Sequence, residues 1–269
     1  MPYVGDPYLL KHFLKFFPIW QDEITQLYIC LNAVIPEGTL HHIRDLVLEN
    51  NKITLLCVNR MLDHGMALNR LLDICEEELV LLLEEDALIF KPNLVESCFQ
   101  QLEMGNVDIL GSYRASCHPE IVEAADKIFK TGWQGPGLWP NFLFTRKEYL
   151  LNTDRDFNAK NWERGEYIKE LDHTVIEENS PMDTFVWASI QLRARGLRIE
   201  EIPQYHLGKN DLSDYQGMEG VFDRKCPWLH IGSLSGWQHV LLGAELPPMI
   251  GELDEWVKRA SWWLRFWEQ

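Results

Sequence analysis

The chain has 269 residues, 46% of them hydrophobic and 25% charged, which is enough apolar material to bury a real core and too much for a disordered chain. Its net charge of −16, without any Lys/Arg run, argues against nucleic acid as a partner, since that grip works by neutralising phosphates. Six cysteines without a C-x-x-C pair speak against a zinc knuckle or a dense disulfide frame and fit a reducing compartment; with no signal-like start and no long apolar window, the expectation is a soluble, cytoplasmic protein.

Leu9 to Phe17 carries apolar residues at helical spacing and Pro18 closes it, and the apolar, β-prone stretch Gln26 to Val34 predicts a strand. Thr39 to Asn50 reads as helix, Lys52 to Val58 as strand, Met66 to Glu77 as helix and Leu79 to Leu83 as strand. Asn93 to Met104 and Val107 to Ser112 continue the alternation, which predicts an α/β fold with a mostly parallel, helix-covered sheet. Gly132 to Pro140, rich in breakers and indoles, marks a shaped loop; Asn141 to Thr145 reads as strand and Arg146 to Leu151 as a short helix. Residues 152–179 are polar and poorly periodic and read as loop with some helix. Ser180-Pro181-Met182-Asp183 is then expected to open a helix, with Ser180 as N-cap and Gly196 beyond its end, followed by a strand from Arg198 to Pro203. From Leu253 to Gln269, Trp256, Ala260, Trp263 and Trp267 repeat at helical spacing, so a C-terminal aromatic helix is expected.

The most informative segment is Leu79 to Asp86. Five apolar residues without alternation suit a strand covered on both faces, and ligands of open α/β sheets sit beyond the carboxyl ends of such strands. Glu84, Glu85 and Asp86 stand at that end. On an extended backbone Glu84 and Asp86 share a face, and clustered carboxylates repel unless a hard divalent cation joins them, with a diphosphate as the natural third party. The plain alternative is an acidic turn that ends a strand.

The order of the pieces resembles the nucleotide-diphospho-sugar glycosyltransferases of the GT-A fold, most closely family 2. The resemblance is carried by Gly65-Met66-Ala67-Leu68-Asn69-Arg70, by Leu81-Leu82-Leu83-Glu84-Glu85-Asp86, by Asn141 to Arg146, by Met182-Asp183-Thr184-Phe185 with Leu192 to Ile199, and by Trp228 to Ser233. It implies a donor-binding half over residues 1–112, an acceptor-side half over 113–240 and a helical appendage over 241–269. Three departures are visible: Glu84 replaces the first Asp of the Asp-x-Asp motif, Asn32 stands where an acidic nucleotide contact is common, and the family's first strand is absent or replaced by a short segment near Tyr3.

The resemblance further implies Mn2+ or Mg2+ on Asp86, Glu84 and His230, and a nucleoside-diphosphate sugar contacted by Asn32, Arg60, Asn69, Glu84 and Glu85. Asp183 is then the general base for direct, inverting attack by an acceptor hydroxyl, and Trp133 and Trp139 stack on a glycan or other hydroxyl acceptor. Each residue also has a structural reading: Asp183 as a capping-box acid, His230 as a loop histidine, Arg60 as a surface ion-pair residue and the tryptophans as core. The C-terminal helix docks on the catalytic domain, on a second copy or on a membrane surface. Two rival functions stay open: an inactive glycosyltransferase-like scaffold, and a sugar-nucleotide nucleotidyltransferase, whose Gly-rich phosphate loop is not visible here.

Overall fold

The computed structural model describes residues 1–3, 7–32, 35–85, 87–89, 91–113, 117–132, 135–202, 205–206, 216–218 and 228–230. The chain runs through β1 (Pro2–Tyr3), α1 (Pro7–Phe16), β2 (Leu27–Leu31), α2 (Glu37–Leu48), β3 (Ile53–Cys57), α3 (His64–Ile74), β4 (Leu79–Leu83) and β5 (Ala87–Ile89). It continues with α4 (Leu94–Glu103), β6 (Ile109–Tyr113), α5 (Pro119–Phe129), β7 (Leu138–Arg146), α6 (Lys147–Leu151), β8 (Lys160–Glu163), β9 (Tyr167–Ile168), β10 (His173–Thr174) and β11 (Asn179–Met182). α7 (Val186–Ala194), β12 (Ile199–Glu201), β13 (Tyr205–His206), β14 (Gln216–Met218) and β15 (Trp228–His230) complete it. The fold is α/β, as the alternation predicts. It divides into two compact units, one from residues 1–61, 83–97 and 203–269, the other from 62–82 and 98–202.

In the first unit β1, β2 and β3 form a parallel sheet with β2 in the middle. The apolar run Leu27–Leu31 suits that place, with Ile29 and Cys30 fully buried. A short strand occupies the position where the resemblance leaves the first strand in question: Pro2 and Tyr3 pair with Cys30 and Leu31, and the Asn32 N–H donates to the Tyr3 carbonyl at 2.7 Å. Phe13 and Phe16 of α1 are buried together with Phe17 and Trp20 of the turn that follows, and Phe17 meets Trp20 edge to face at 4.8 Å. A second, antiparallel sheet has the order β13-β14-β15-β5. Glu23 holds the start of α4, accepting from the Asn93 and Glu96 N–H groups at 2.7 and 3.0 Å, so the helix receives its N-terminal carboxylate from seventy residues upstream.

In the second unit the strand order is β12-β6-β7-β4. β12 runs parallel to β6, whereas β7 is antiparallel to it, and their register jumps between Gly111 and Ser112, which face Leu143 and Trp139 respectively. Residues 140–142 are thus an irregular bulge that re-aims the strand. Trp139, expected on the Gly/Pro loop, lies on β7 itself.

Two expectations are corrected here. Residues 152–179, read as loop with some helix, keep long loops and a 3-10 turn at Lys169–Leu171 but also form strands that the sequence did not suggest: β8 pairs with β11, and inside that hairpin β9 pairs with β10. Ser180 is no N-cap. It lies in β11 opposite Trp162, and the helix opens only at Val186. The strand wins because Ser180 Oγ donates to the buried Glu120 carboxylate at 3.0 Å and the Pro181 carbonyl accepts from the His118 N–H at 2.9 Å, contacts that a helix at this point would forfeit. Helix α5 is an addition to the predicted set, although His118-Pro119-Glu120 ahead of Ile121, Ala124 and Ala125 is a legible helix start.

Candidate functional site

The carboxylate segment belongs to the first unit. β4 ends at Leu83, and the Ala87 N–H donates to the Glu84 carbonyl at 3.1 Å, closing a tight turn. Glu84 thus lies just beyond the end of the strand. Glu84 is half-buried and Glu85 is the buried member at 4% exposure; Asp86 lies outside the described residues. The chain then enters β5, which pairs antiparallel with β15 in the register Ala87 to His230, Leu88 to Leu229 and Ile89 to Trp228. His230 thus stands directly across the ladder from the residue that follows Asp86, a separation of about 5 Å between backbones in such pairs. Residues 143 positions apart in sequence, Ala87 and His230, meet here, anchored by the fully buried Trp228.

Asn32 and Arg60 are also in this unit, each just past the carboxyl end of a parallel strand. Asn32 follows β2 and is buried at 4% exposure. Arg60 follows β3 and is exposed; Asn59 before it turns the chain with a φ of 54°. No cluster of three His, Cys, Asp or Glu side chains able to hold a metal occurs among the described residues.

The remaining candidates lie in the second unit. Both ends of the Asn69 amide are taken by one residue: Nδ2 donates to the Arg155 carbonyl at 2.7 Å and Oδ1 accepts from Arg155 Nε at 3.0 Å. Arg155 also bonds Asp73 at 2.7 Å, so Asn69 acts as a clamp on a left-handed turn in the described geometry. Trp139 is half-buried and packs against a core cluster that includes Ile121, Trp187 and Ile190. Trp133 and the aromatic tail of residues 241–269 lie outside the described residues. Among the described residues no helix is long and apolar enough to cross a membrane.

Asp183 follows β11 directly and is half-buried. Its Oδ1 accepts from the Thr184 N–H at 2.7 Å and its carbonyl accepts from the Val186 N–H at 3.2 Å, so the carboxylate is folded over its own turn. The expected capping-box partner, Ser180, is engaged elsewhere, with the Glu120 carboxylate.

The hairpin that delivers Asp183 is fastened by Glu120, the residue that sequence reasoning missed. Its carboxylate, 6% exposed, receives His173 Nε2 at 2.7 Å, the Ile176 N–H at 2.7 Å, the Glu177 N–H at 3.1 Å and Ser180 Oγ at 3.0 Å. Burial by itself pushes this carboxyl up, but the donors outweigh it and hold its pKa at about 2, against 4.5 ordinarily. A depressed pKa stabilises the fold above the unfolded value and the benefit fades as pH falls from about 4.5 toward 2. Glu120→Gln is therefore expected to destabilise by about 2 kcal/mol at pH 7. Urea melts of both proteins should show the gap narrowing below pH 4.5; a gap independent of pH would contradict the assignment.

No family model and no curated protein matches the sequence. The chain is similar in structure, at low identity, to the mannosyltransferase PcManGT from Pyrobaculum calidifontis, solved in complex with GDP-Man and Mn2+: 15% identity, covering 75% of this chain and 53% of that one, TM-score 0.49. For S. aureus TarS the values are 15% identity, 58% and 49% coverage and TM-score 0.42. For the mannosyltransferase Ktr4p from S. cerevisiae, solved in complex with GDP, they are 8%, 58% and 58%, and 0.35. The chain spans about half the length of the first two.

Proposed function

We propose that this chain is a glycosyltransferase that moves a sugar from a nucleoside-diphosphate donor to an acceptor hydroxyl with inversion, and that a divalent metal assists it. The observation that carries the reading is the register of β5 and β15, which sets His230 beside the carboxylate turn. Glu84, Asp86 and His230 would hold the ion, an oxygen-rich set with one imidazole that suits Mn2+ or Mg2+. When bound, the ion supplies positive charge against the charge that grows on the departing diphosphate. Asn32 and Arg60, past the carboxyl ends of β2 and β3, serve the nucleotide; Asn32 offers hydrogen bonds to a base or ribose and Arg60 a cation for phosphate.

On the acceptor side, Asp183 takes the proton of the acceptor hydroxyl as its oxygen attacks the anomeric carbon and the bond to the diphosphate breaks. A single displacement of this kind inverts configuration. Trp133 and Trp139 offer indole faces for the acceptor. The donor-side groups belong to residues 1–112 and the late strand β15, the acceptor-side groups to the span 113–240.

Isothermal titration with uridine and guanosine diphosphates, with and without Mn2+, tests the donor half. Wild type is expected to bind one of them only with Mn2+, and Asp86→Ala to lose at least about a hundredfold in affinity, a change of roughly 3 kcal/mol. Binding that ignores the metal would remove the metal site from the reading, and no binding to either nucleotide would favour the scaffold alternative.

A further inference from the structure

Phe185 holds an unusual backbone. Its φ is 71° and ψ −9°, in the left-handed region, and it is fully buried. The other non-glycine residues with positive φ among those described are Asn59, Asn93, Lys130, Arg155 and Asp172, all polar and none fully buried. Left-handed turns on exposed Asn and Asp are routine, whereas a bulky aromatic there is an outlier that surrounding structure has to enforce.

The enforcement is visible on every side. The Phe185 N–H donates to the Phe157 carbonyl at 2.9 Å. Its carbonyl accepts twice from Ser189, from N–H at 3.0 Å and from Oγ at 2.8 Å, and the same Oγ accepts from the Leu138 N–H at 3.0 Å. The ring rests on Phe157, 5.3 Å between centroids and tilted by 35°. Glycine would adopt this φ freely but leave the turn loose. Phe185 makes the turn with a ring locked in the core.

We infer that Phe185 is a positioning residue for Asp183: its left-handed backbone, locked by Phe157 and Ser189, fixes the turn over which the Asp183 carboxylate is folded. The catalytic half of this inference rests on Asp183 acting as the base. The connection is short. Asp183 Oδ1 holds the Thr184 N–H at the start of the turn, and the Asp183 carbonyl holds the Val186 N–H across Phe185, so the closure of the turn depends on the backbone at 185. Returning residue 185 to an extended φ would swing Val186 away from the Asp183 carbonyl and open the turn that Asp183 begins.

The test compares Phe185→Leu, apolar and unbranched at Cβ, with Phe185→Ile, whose β-branch resists positive φ. In transfer assays with a donor that wild type uses, Leu is expected to lower kcat about fivefold and Ile about a hundredfold, with donor KM within about twofold in both. In the Asp183→Asn background Ile should cost less than about threefold more, because two residues acting through one carboxylate are not additive. Fully additive losses would overturn the inference. A second readout needs no activity: amide exchange at Thr184 should quicken at least about tenfold in Ile, and measurably in Leu, while β11 stays protected. Unchanged Thr184 exchange in a folded Leu variant also overturns it. Failure of the glycosyltransferase reading would show separately, as absent nucleotide binding by wild type.

Discussion

Asp183→Asn is expected to lower sugar transfer by roughly a thousandfold while leaving Mn2+-dependent nucleotide binding within about twofold of wild type. The asparagine amide has nearly the shape of the carboxylate and its oxygen can still accept from the Thr184 N–H, now 2.7 Å from Oδ1, so the turn after β11 has no reason to rearrange. What disappears is the capacity to take a proton. The loss should therefore fall on kcat rather than on donor KM, and thermal melting should move little, since a half-buried side chain keeps its volume. A variant that transfers normally removes Asp183 from the chemistry. One that melts far below wild type makes it structural.

The largest effect on stability is expected at Gly65. A Cβ built there comes within 2.4 Å of both Asn158 N and Phe157 C, and 2.7 Å of Asn158 Oδ1. The first two are backbone atoms, which cannot yield by rotating a side chain, so Gly65→Ala must either push α3 away or displace the 157–158 segment. A cost of about 3 kcal/mol is expected, read as a fall in melting temperature of about 10 °C. Gly38 in α2 is the control: nothing lies within 4 Å of its Cβ position, and alanine there should be neutral or gain about 0.5 kcal/mol from helix propensity. The displaced segment matters beyond stability, because the Phe157 carbonyl is the partner of the Phe185 N–H. Gly65→Ala should thus reduce turnover even at temperatures where it remains folded.

How legible each element was depended on where its stabilising contacts come from. Leu79–Leu83 emerges with the bounds that its apolar run implies, although burial along it alternates, with Val80, Leu82 and Leu83 buried and Leu79 and Leu81 half-buried, rather than covering both faces as the run suggested. α1, α2 and α3 likewise follow from apolar spacing in their own sequence. The hairpin of residues 160–182 could not be read that way. Its strands are two to four residues long, mix exposed and buried positions, and are pinned by Glu120, forty to sixty residues upstream. At Ser180-Pro181 the local signal for a helix start is genuine, and a tertiary contact overrides it.

The candidate site divides on the same line. The acidic end of β4 is visible in sequence as a break in an apolar run, but the neighbour that makes it interesting, His230, is set by strand pairing that no local pattern encodes. Asn69 is a candidate ligand contact because the stretch Gly65 to Arg70 resembles one in the glycosyltransferases, and only the three-dimensional arrangement shows its amide engaged by Arg155. Phe185 carries no sequence signal for a positive φ, since glycine and asparagine are the residues that advertise one.

The chain passes between its two units four times, at residues 61/62, 82/83, 97/98 and 202/203. Neither unit is therefore a segment that scissors could free. Shortening the protein at residue 202 would take β15 away and strip β5 of the strand it pairs with, baring a ladder edge beside the acidic turn. Assembly must wait for distant stretches to find each other, a topology that slows folding and ties the acquisition of both halves to synthesis of the late strands.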